Sequence, residues 1–259
     1  MTLEAARLAA ILPPADWRPP PRDRVADVVR TMRVVTRVLG GIVADERREV
    51  GRGVVRDTTT AEGLALIQSD LAQTAAALGL DIHVHHADRV PRTGGLIFMW
   101  NQTSHVDHVV LPIAIPRPFH STYNNEVRRF PIYGARIRRT DHFWIDRTDE
   151  KQWRAQMARA ADRVRDGACV LISPEGTRSW DGKLLPMKRG AFLLARLAAQ
   201  PIVCVTIRGA RDALPRGRLG VRPGRIDVEM SQPITIDAAS ELVLEEIVAA
   251  TFRAAMLDA

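Results

Sequence analysis

Residues 169–179 read Cys169-Val170-Leu171-Ile172-Ser173-Pro174-Glu175-Gly176-Thr177-Arg178-Ser179. Four apolar positions run without a polar break and then give way to a turn rich in polar groups, with Pro174 and Gly176 inside it. A short continuous apolar run of this kind is the pattern of a strand buried on both faces, which belongs to a parallel sheet. Upstream, 150–165 carries helical periodicity, and downstream, 188–199 does so again before an apolar strand at 201–207. Working outward, Leu96–Trp100 and Phe143–Ile145 read as further short strands, with others at 82–85, 119–123 and 225–230. Helices are expected at 103–114, 128–138 and 238–257. Strands separated by helices predict an α/β fold: a mixed, largely parallel sheet flanked by helices.

The N-terminal third differs. After a proline-rich start, residues 22–48 place Val25, Val28, Val29, Met32, Val35, Val38, Leu39, Ile42 and Val43 at three- and four-residue steps, with seven arginines among them. Such a basic amphipathic helix either packs its apolar stripe on the core or lies on a membrane surface. A second helix is expected at 60–78, with Thr59 and Glu62 at capping-box spacing and Gly79 as its terminator. The chain therefore divides into an N-terminal helical pair, 1–79, and an α/β domain, 80–259.

Composition sets bounds. The chain has 259 residues, with 37 Lys plus Arg against 30 Asp plus Glu, a formal charge of +7. The positive excess points to an anionic partner: anionic lipid, or a phosphorylated or CoA-linked substrate. With 5% aromatics and no basic tract interleaved with them, nucleic-acid binding by base stacking is disfavoured. Two cysteines, Cys169 and Cys204, exclude a disulfide scaffold and read as buried thiols. No apolar run approaches a membrane span of about 20 residues, and the N-terminus makes a poor signal peptide. The expected setting is the cytoplasm, with peripheral contact at the inner face of the membrane. His83, His85 and His86 lie on a strand and its end; they read as a polar strand face, and no metal site is expected.

Three segments stand directly after predicted strands, where α/β folds place their sites: Asn101-Gln102-Thr103-Ser104-His105-Val106-Asp107, Phe143-Trp144-Ile145-Asp146-Arg147, and Ser173–Ser179. In their order and spacing they resemble the lysophosphatidic acid (glycerolipid) acyltransferase family over about residues 80–235. Pro174–Ser179 matches that family's Pro-Glu-Gly-Thr-Arg-Ser without change, and Met187–Phe192 resembles its Phe-Lys-Arg-Gly-Ala-Phe run. Pro201–Val205 resembles Pro-Ile-Val-Pro-Val, with Cys204 at the second proline.

The resemblance implies acyl transfer. A His–Asp dyad takes the acceptor's proton, and the oxygen attacks the thioester of acyl-CoA or acyl carrier protein, which are co-substrates; no cofactor is implied. The acceptor is a lysophospholipid or another small anionic, hydroxylated or amine compound. Asp107 falls on the dyad's carboxylate. Arg147 and Arg178, with Lys188 a weaker candidate, fall on the phosphate-holding positions, for which a guanidinium's planar donors are suited. Ser104, Glu175, Gly176 and Thr177 fall on the remaining substrate-site positions. Trp100 and Trp144 line an acyl tunnel or belong to the core.

The second motif departs where Asp141 replaces its leading glycine and Trp144 its Phe, and one further departure bears on the chemistry. Where the family carries its histidine, this chain has Gln102, which cannot act as a general base near neutral pH. Three readings stay open. Gln102 is an inactivating substitution in an otherwise ordinary acyltransferase. Alternatively, the protein is a diverged member that binds an acyl group without transferring it, or catalyses another condensation or cyclisation. Finally, His105, about one helical turn on, substitutes as the base.

Overall fold

The computed structural model describes residues 13, 17–52, 57–125, 127, 134, 137–236 and 241–257, with the backbone alone for 42–52 and 241. In chain order the elements are α1 (Val25–Arg52), α2 (Ala61–Leu78), β1 (Leu80–His85), β2 (Leu96–Trp100), α3 (Asp107–Ala114), β3 (His120–Asn124) and β4 (Phe143–Ile145). They continue with α4 (Glu150–Arg165), β5 (Cys169–Ile172), α5 (Arg189–Ala198), β6 (Ile202–Arg208), α6 (Ala210–Ala213), β7 (Gly224–Met230) and α7 (Glu241–Leu257). Arg128 and Arg129, in the expected helix 128–138, lie outside the described residues.

The seven strands form one sheet in the order β1-β7-β6-β2-β5-β3-β4. Every pairing is parallel except β6 with β7. The sheet is thus mixed and mostly parallel, as expected. Five strands share one direction, and β1 and β7 run against them. All three motif segments consequently leave the sheet at the same edge, the carboxyl ends of β2, β4 and β5.

Strand β2 lies at the centre and is buried along its whole length. Its alternation divides it between two apolar layers. Leu96, Phe98 and Trp100 face one layer, shared with Leu64, Ala75 and Leu78 of α2 and Val110, Leu111 and Ala114 of α3. Ile97 and Met99 face the other, under Met157, Ala160 and Val164 of α4, Phe192 and Leu194 of α5, and Leu244 and Phe252 of α7. Burial on both faces is why this strand reads as an unbroken apolar run. It also settles Trp100, which is a core residue and not an exposed tunnel wall. Cys169 and Cys204 are buried free thiols.

Two local expectations change. The cap of α2 is Thr60, whose side chain accepts from the Gly63 N–H at 3.1 Å. Thr59 lies one residue outside the cap, its hydroxyl donating to Asp57 at 2.7 Å. Gly79 ends the helix with φ +75°, as expected. Helix α3 begins only at Asp107, so 101–106 is loop.

Helix α1 departs more. Its inward contacts are polar: the Thr31 hydroxyl accepts from the Val221 N–H at 2.8 Å, and Arg30 donates to the Val221 carbonyl and to Asp27, each at 2.7 Å. Val25, Val29, Met32 and Val35 face solvent. Val34, which is not part of the stripe, packs against the core, while much of the stripe itself is exposed. Val28, Val29, Met32, Arg33, Thr36 and Arg37 line a groove of about 550 Å³.

Candidate active site

The first motif is pinned to the sheet at its head. The Asn101 side chain makes two hydrogen bonds with the backbone of Ile207, accepting from N–H at 2.7 Å and donating to the carbonyl at 3.0 Å. This ties the loop after β2 to the end of the neighbouring β6. Asp107, at the start of α3, is fully buried. Its Oδ2 accepts from the N–H groups of Thr103 and Ser104 at 2.9 and 3.0 Å, folding the loop back on the helix start. Its Oδ1 is buried with no hydrogen-bond partner. Burial pushes this carboxyl up to about 7, against the opposing pull of the two N–H groups and of Arg178.

The third motif is stitched to the first by Glu175. One carboxyl oxygen accepts from the Gln102 N–H at 2.8 Å and the other from the Leu185 N–H at 2.7 Å. The Ser179 N–H donates to the Gln102 carbonyl at 3.1 Å. Gln102 is thus held from both sides by its backbone. Gly176 has φ +65°, which glycine alone adopts without strain. A Cβ there would lie in ordinary contact with two of the motif side chains, 3.4 Å from Nη2 of Arg147 and 3.6 Å from Cγ of Lys188.

The second motif brings Arg147 to that spot. After β4 the chain turns on Asp146, whose Oδ1 accepts from the N–H and hydroxyl of Thr148 at 2.9 and 2.6 Å. Asp149 then caps α4, accepting from the Gln152 N–H at 3.0 Å. Arg147 sits between these two turns, exposed, and reaches across to the glycine of the third motif.

The structure therefore brings Arg147, Lys188, Gly176, Arg178 and Asp107 together at one edge of the sheet. Arg178 is electrostatically coupled to Asp107 beneath it and to His105 beside it. Thr177 is half-buried next to it. Ser104 and Glu175 lie below this surface. Ser104 is buried, its hydroxyl donating to the Leu214 carbonyl at 2.9 Å and accepting from the Val106 N–H at 3.1 Å. Both residues hold the loops in place through these hydrogen bonds.

His105 reaches solvent at the site with its ring 6.5 Å from that of His108. Burial of part of the ring, then Arg178, His108 and Arg216, push its imidazole down to about 4. His83 and His85 pair elsewhere, with Asp81 at 2.8 Å and Asp227 at 2.7 Å. Among the described residues no group of three or more His, Cys, Asp or Glu is placed to hold a metal ion.

One participant was missed in the sequence. Arg216, on the segment after β6, donates to the Arg178 carbonyl at 3.0 Å, and its guanidinium lies 4.1 Å from the Trp180 ring centre. Arg178 and Arg216 repel one another, and burial works against the charge on both. No local motif marks Arg216. Only the adjacency of β6 to β2 in the sheet brings it here.

Residues 81–208 match the family model for acyltransferases. The 1-acyl-sn-glycerol-3-phosphate acyltransferase of Cocos nucifera is 32% identical over 144 residues, 54% of this chain and 46% of that protein. The enzyme of that name from Chlamydomonas reinhardtii is 31% identical over 134 residues, 51% and 40% of the two chains. That from Salmonella typhimurium is 26% identical over 176 residues, 68% and 71%. The chain spans about half the length of the first two of these relatives. Among solved structures, the 1-acyl-sn-glycerophosphate (LPA) acyltransferase PlsC from Thermotoga maritima shares the fold, with a TM-score of 0.72 over 90% of this chain and 96% of that one at 20% identity. The family model covers the stretch that carries all three motifs: residues 81–208 form an acyltransferase-family domain, and the chain is similar to the 1-acyl-sn-glycerol-3-phosphate acyltransferases.

Proposed function

We propose that the protein transfers an acyl chain from a thioester, acyl-CoA or acyl carrier protein, to a small phosphate-bearing acceptor of the lysophosphatidic acid kind, with the proton-transfer part of the chemistry altered by Gln102. One observation carries this reading: the Arg147 guanidinium and the stem of Lys188 both lie against Gly176, two residues from Arg178, which is electrostatically coupled to Asp107. Guanidinium groups with a lysine rooted beside the same glycine are suited to seat a phosphate. The relatives' names supply the acceptor class.

The acceptor's phosphate would rest on Arg147, Arg178 and Lys188, with its nucleophile toward Gln102. Gln102 can hydrogen-bond that nucleophile but cannot remove its proton. The direct test is thiol release from palmitoyl-CoA with lysophosphatidic acid, in the native protein and in Gln102→His. Restoring an imidazole beside the unpartnered Oδ1 of Asp107 should raise ester formation about 10²–10⁴-fold. Adding Arg178→Ala to that variant should raise KM for the acceptor. An acceptor KM indifferent to Arg178 would refute the phosphate seat.

The protein would work bound peripherally to the cytoplasmic face of a membrane. The support is α1, whose Val25, Val29, Met32 and Val35 are exposed beside Arg24, Arg33 and Arg37. Apolar insertion with arginines against anionic headgroups is how an interfacial helix binds. No helix among the described residues is long and apolar enough to cross a membrane.

A further inference from the structure

We propose that Arg216 is a positioning residue for Arg178, and that Trp17, on the segment before α1, completes the clamp that holds Arg216 in place. The proposal rests on the phosphate-seat reading of the same site. It starts from the peptide unit between Arg178 and Ser179, which is gripped at both of its polar groups. The Ser179 N–H donates to the Gln102 carbonyl at 3.1 Å, and the Arg178 carbonyl accepts from Nη1 of Arg216 at 3.0 Å. In a trans peptide these two groups point opposite ways. One bond therefore ties the unit to the first motif and the other to the segment after β6. A plane held at both poles resists rotation, and the Cα of Arg178 is fixed with it. A phosphate seat needs this, because a guanidinium reads phosphate through a planar fork whose worth depends on its direction.

Arg216 is itself built in. Its guanidinium carbon stands 4.1 Å from the centre of the Trp180 ring, a stacking contact that suits a flat guanidinium better than an ammonium. Trp180 is fixed in turn. The Trp17 ring meets it edge-on, 5.1 Å between centres at 70°. The Trp180 carbonyl accepts from Nε1 of Trp17 at 3.2 Å and from Nε and Nη2 of Arg211 at 3.3 Å.

The stretch after Trp17 is laced to the same part of the chain. Arg222 donates to the Pro21 carbonyl at 2.8 Å, the Leu219 N–H to Asp23 at 3.1 Å and the Val221 N–H to Thr31 at 2.8 Å. Residues 17–31 and 211–222 thus form one backing for the third motif. Through Trp17, Trp180 and Arg216 the segment before α1 acts on the arginine expected to hold the acceptor.

The test is titration calorimetry of the full chain with hexanoyl lysophosphatidic acid, which stays monomeric in water. Arg178→Ala should weaken binding about 10–100-fold, the scale of lost charged hydrogen bonds. Arg216→Ala should weaken it about as much. Arg216→Lys, which keeps the charge but neither the fork nor the flat stack, should still weaken it at least about tenfold. Trp17→Ala should weaken it about 2–10-fold, the worth of a neutral hydrogen bond.

The deciding arm is the double variant. If Arg216 acts through Arg178, adding Arg216→Ala to Arg178→Ala should change affinity less than about twofold. General loosening of the fold would weaken the double variant further, so the cycle separates positioning from stability. Additive effects, or native affinity in Arg216→Lys, overturn the proposal, and native affinity in Trp17→Ala overturns the clamp. If Arg178→Ala weakens binding and Arg216→Ala does not, the proposal fails and the phosphate seat stands. If the native protein does not bind the lipid, or Arg178→Ala binds it as tightly, both fall.

Discussion

Replacing Asp107 with asparagine removes a carboxyl that the fold holds close to half-protonated at neutral pH. Its ordinary value is 3.8 and its folded value about 7. Between these limits the native state keeps a proton that the unfolded chain has released. Stability therefore falls as pH rises through this window, and the loss is complete above about 7. A shift of about 3 units corresponds to about 4 kcal/mol over the full window, of which about 2.5 kcal/mol lies between pH 5 and 8. Asparagine fits the position. Its carbonyl oxygen can accept from Thr103 and Ser104 as Oδ2 does, leaving its NH2 where Oδ1 has no partner. Glu175, pushed to about 7 first by burial and last by the charge on Asp107, is present in both proteins, so its burial part cancels and only the smaller push from Asp107 is lost with the substitution. Urea unfolding of the native protein and Asp107→Asn at pH 5 and pH 8 reads chiefly the one carboxyl. On going to pH 8 the native protein should lose about 2.5 kcal/mol more than the variant. Identical pH dependence would refute the reasoning: Arg178 and the two N–H groups would then outweigh burial, and Asp107 would be a carboxylate throughout.

Asn101→Ala should cost about 2–4 kcal/mol in urea unfolding, because it strands the buried N–H and carbonyl of Ile207. Gly176→Ala should cost about 1–2 kcal/mol for its positive φ and, with a new Cβ 3.4 Å from Arg147 Nη2, should raise the acceptor's KM in a steady-state assay. Val29→Glu with Met32→Glu should abolish sedimentation with anionic vesicles at low salt while leaving thermal unfolding unchanged, since both side chains are exposed; retained sedimentation would remove α1 from the membrane contact.

The layered α/β architecture was legible because β2 and β5 are buried on both faces and so read as unbroken apolar runs. The convergence of motifs was legible because segments directly after parallel strands share an edge. Other features depended on tertiary partners that no local pattern encodes. Arg216 joins the site only because β6 lies beside β2. The cap falls on Thr60, not Thr59, because Asp57 holds both the N–H and the hydroxyl of Thr59 in the turn before the helix, which starts at Ala61. Helix α1 shows solvent much of the apolar stripe that periodicity assigns inward, because Thr31 and Arg30 find hydrogen bonds on the Val221 backbone. Periodicity reports that a stripe exists; what lies opposite it is a property of the whole fold.

The pairing of β1 with β7 has a consequence for synthesis on the ribosome. Leu80–His85 can take its place only once Gly224–Met230 has been made, 224 − 80 = 144 residues later. At about 5–20 residues per second, the nascent chain waits on the order of ten seconds with that edge of the sheet unformed. Long-range closure of this kind also slows refolding. For most of that interval β6 is also unmade, so what a chaperone, or a neighbouring polysome product, meets is unpaired β1 and the bare flank of β2.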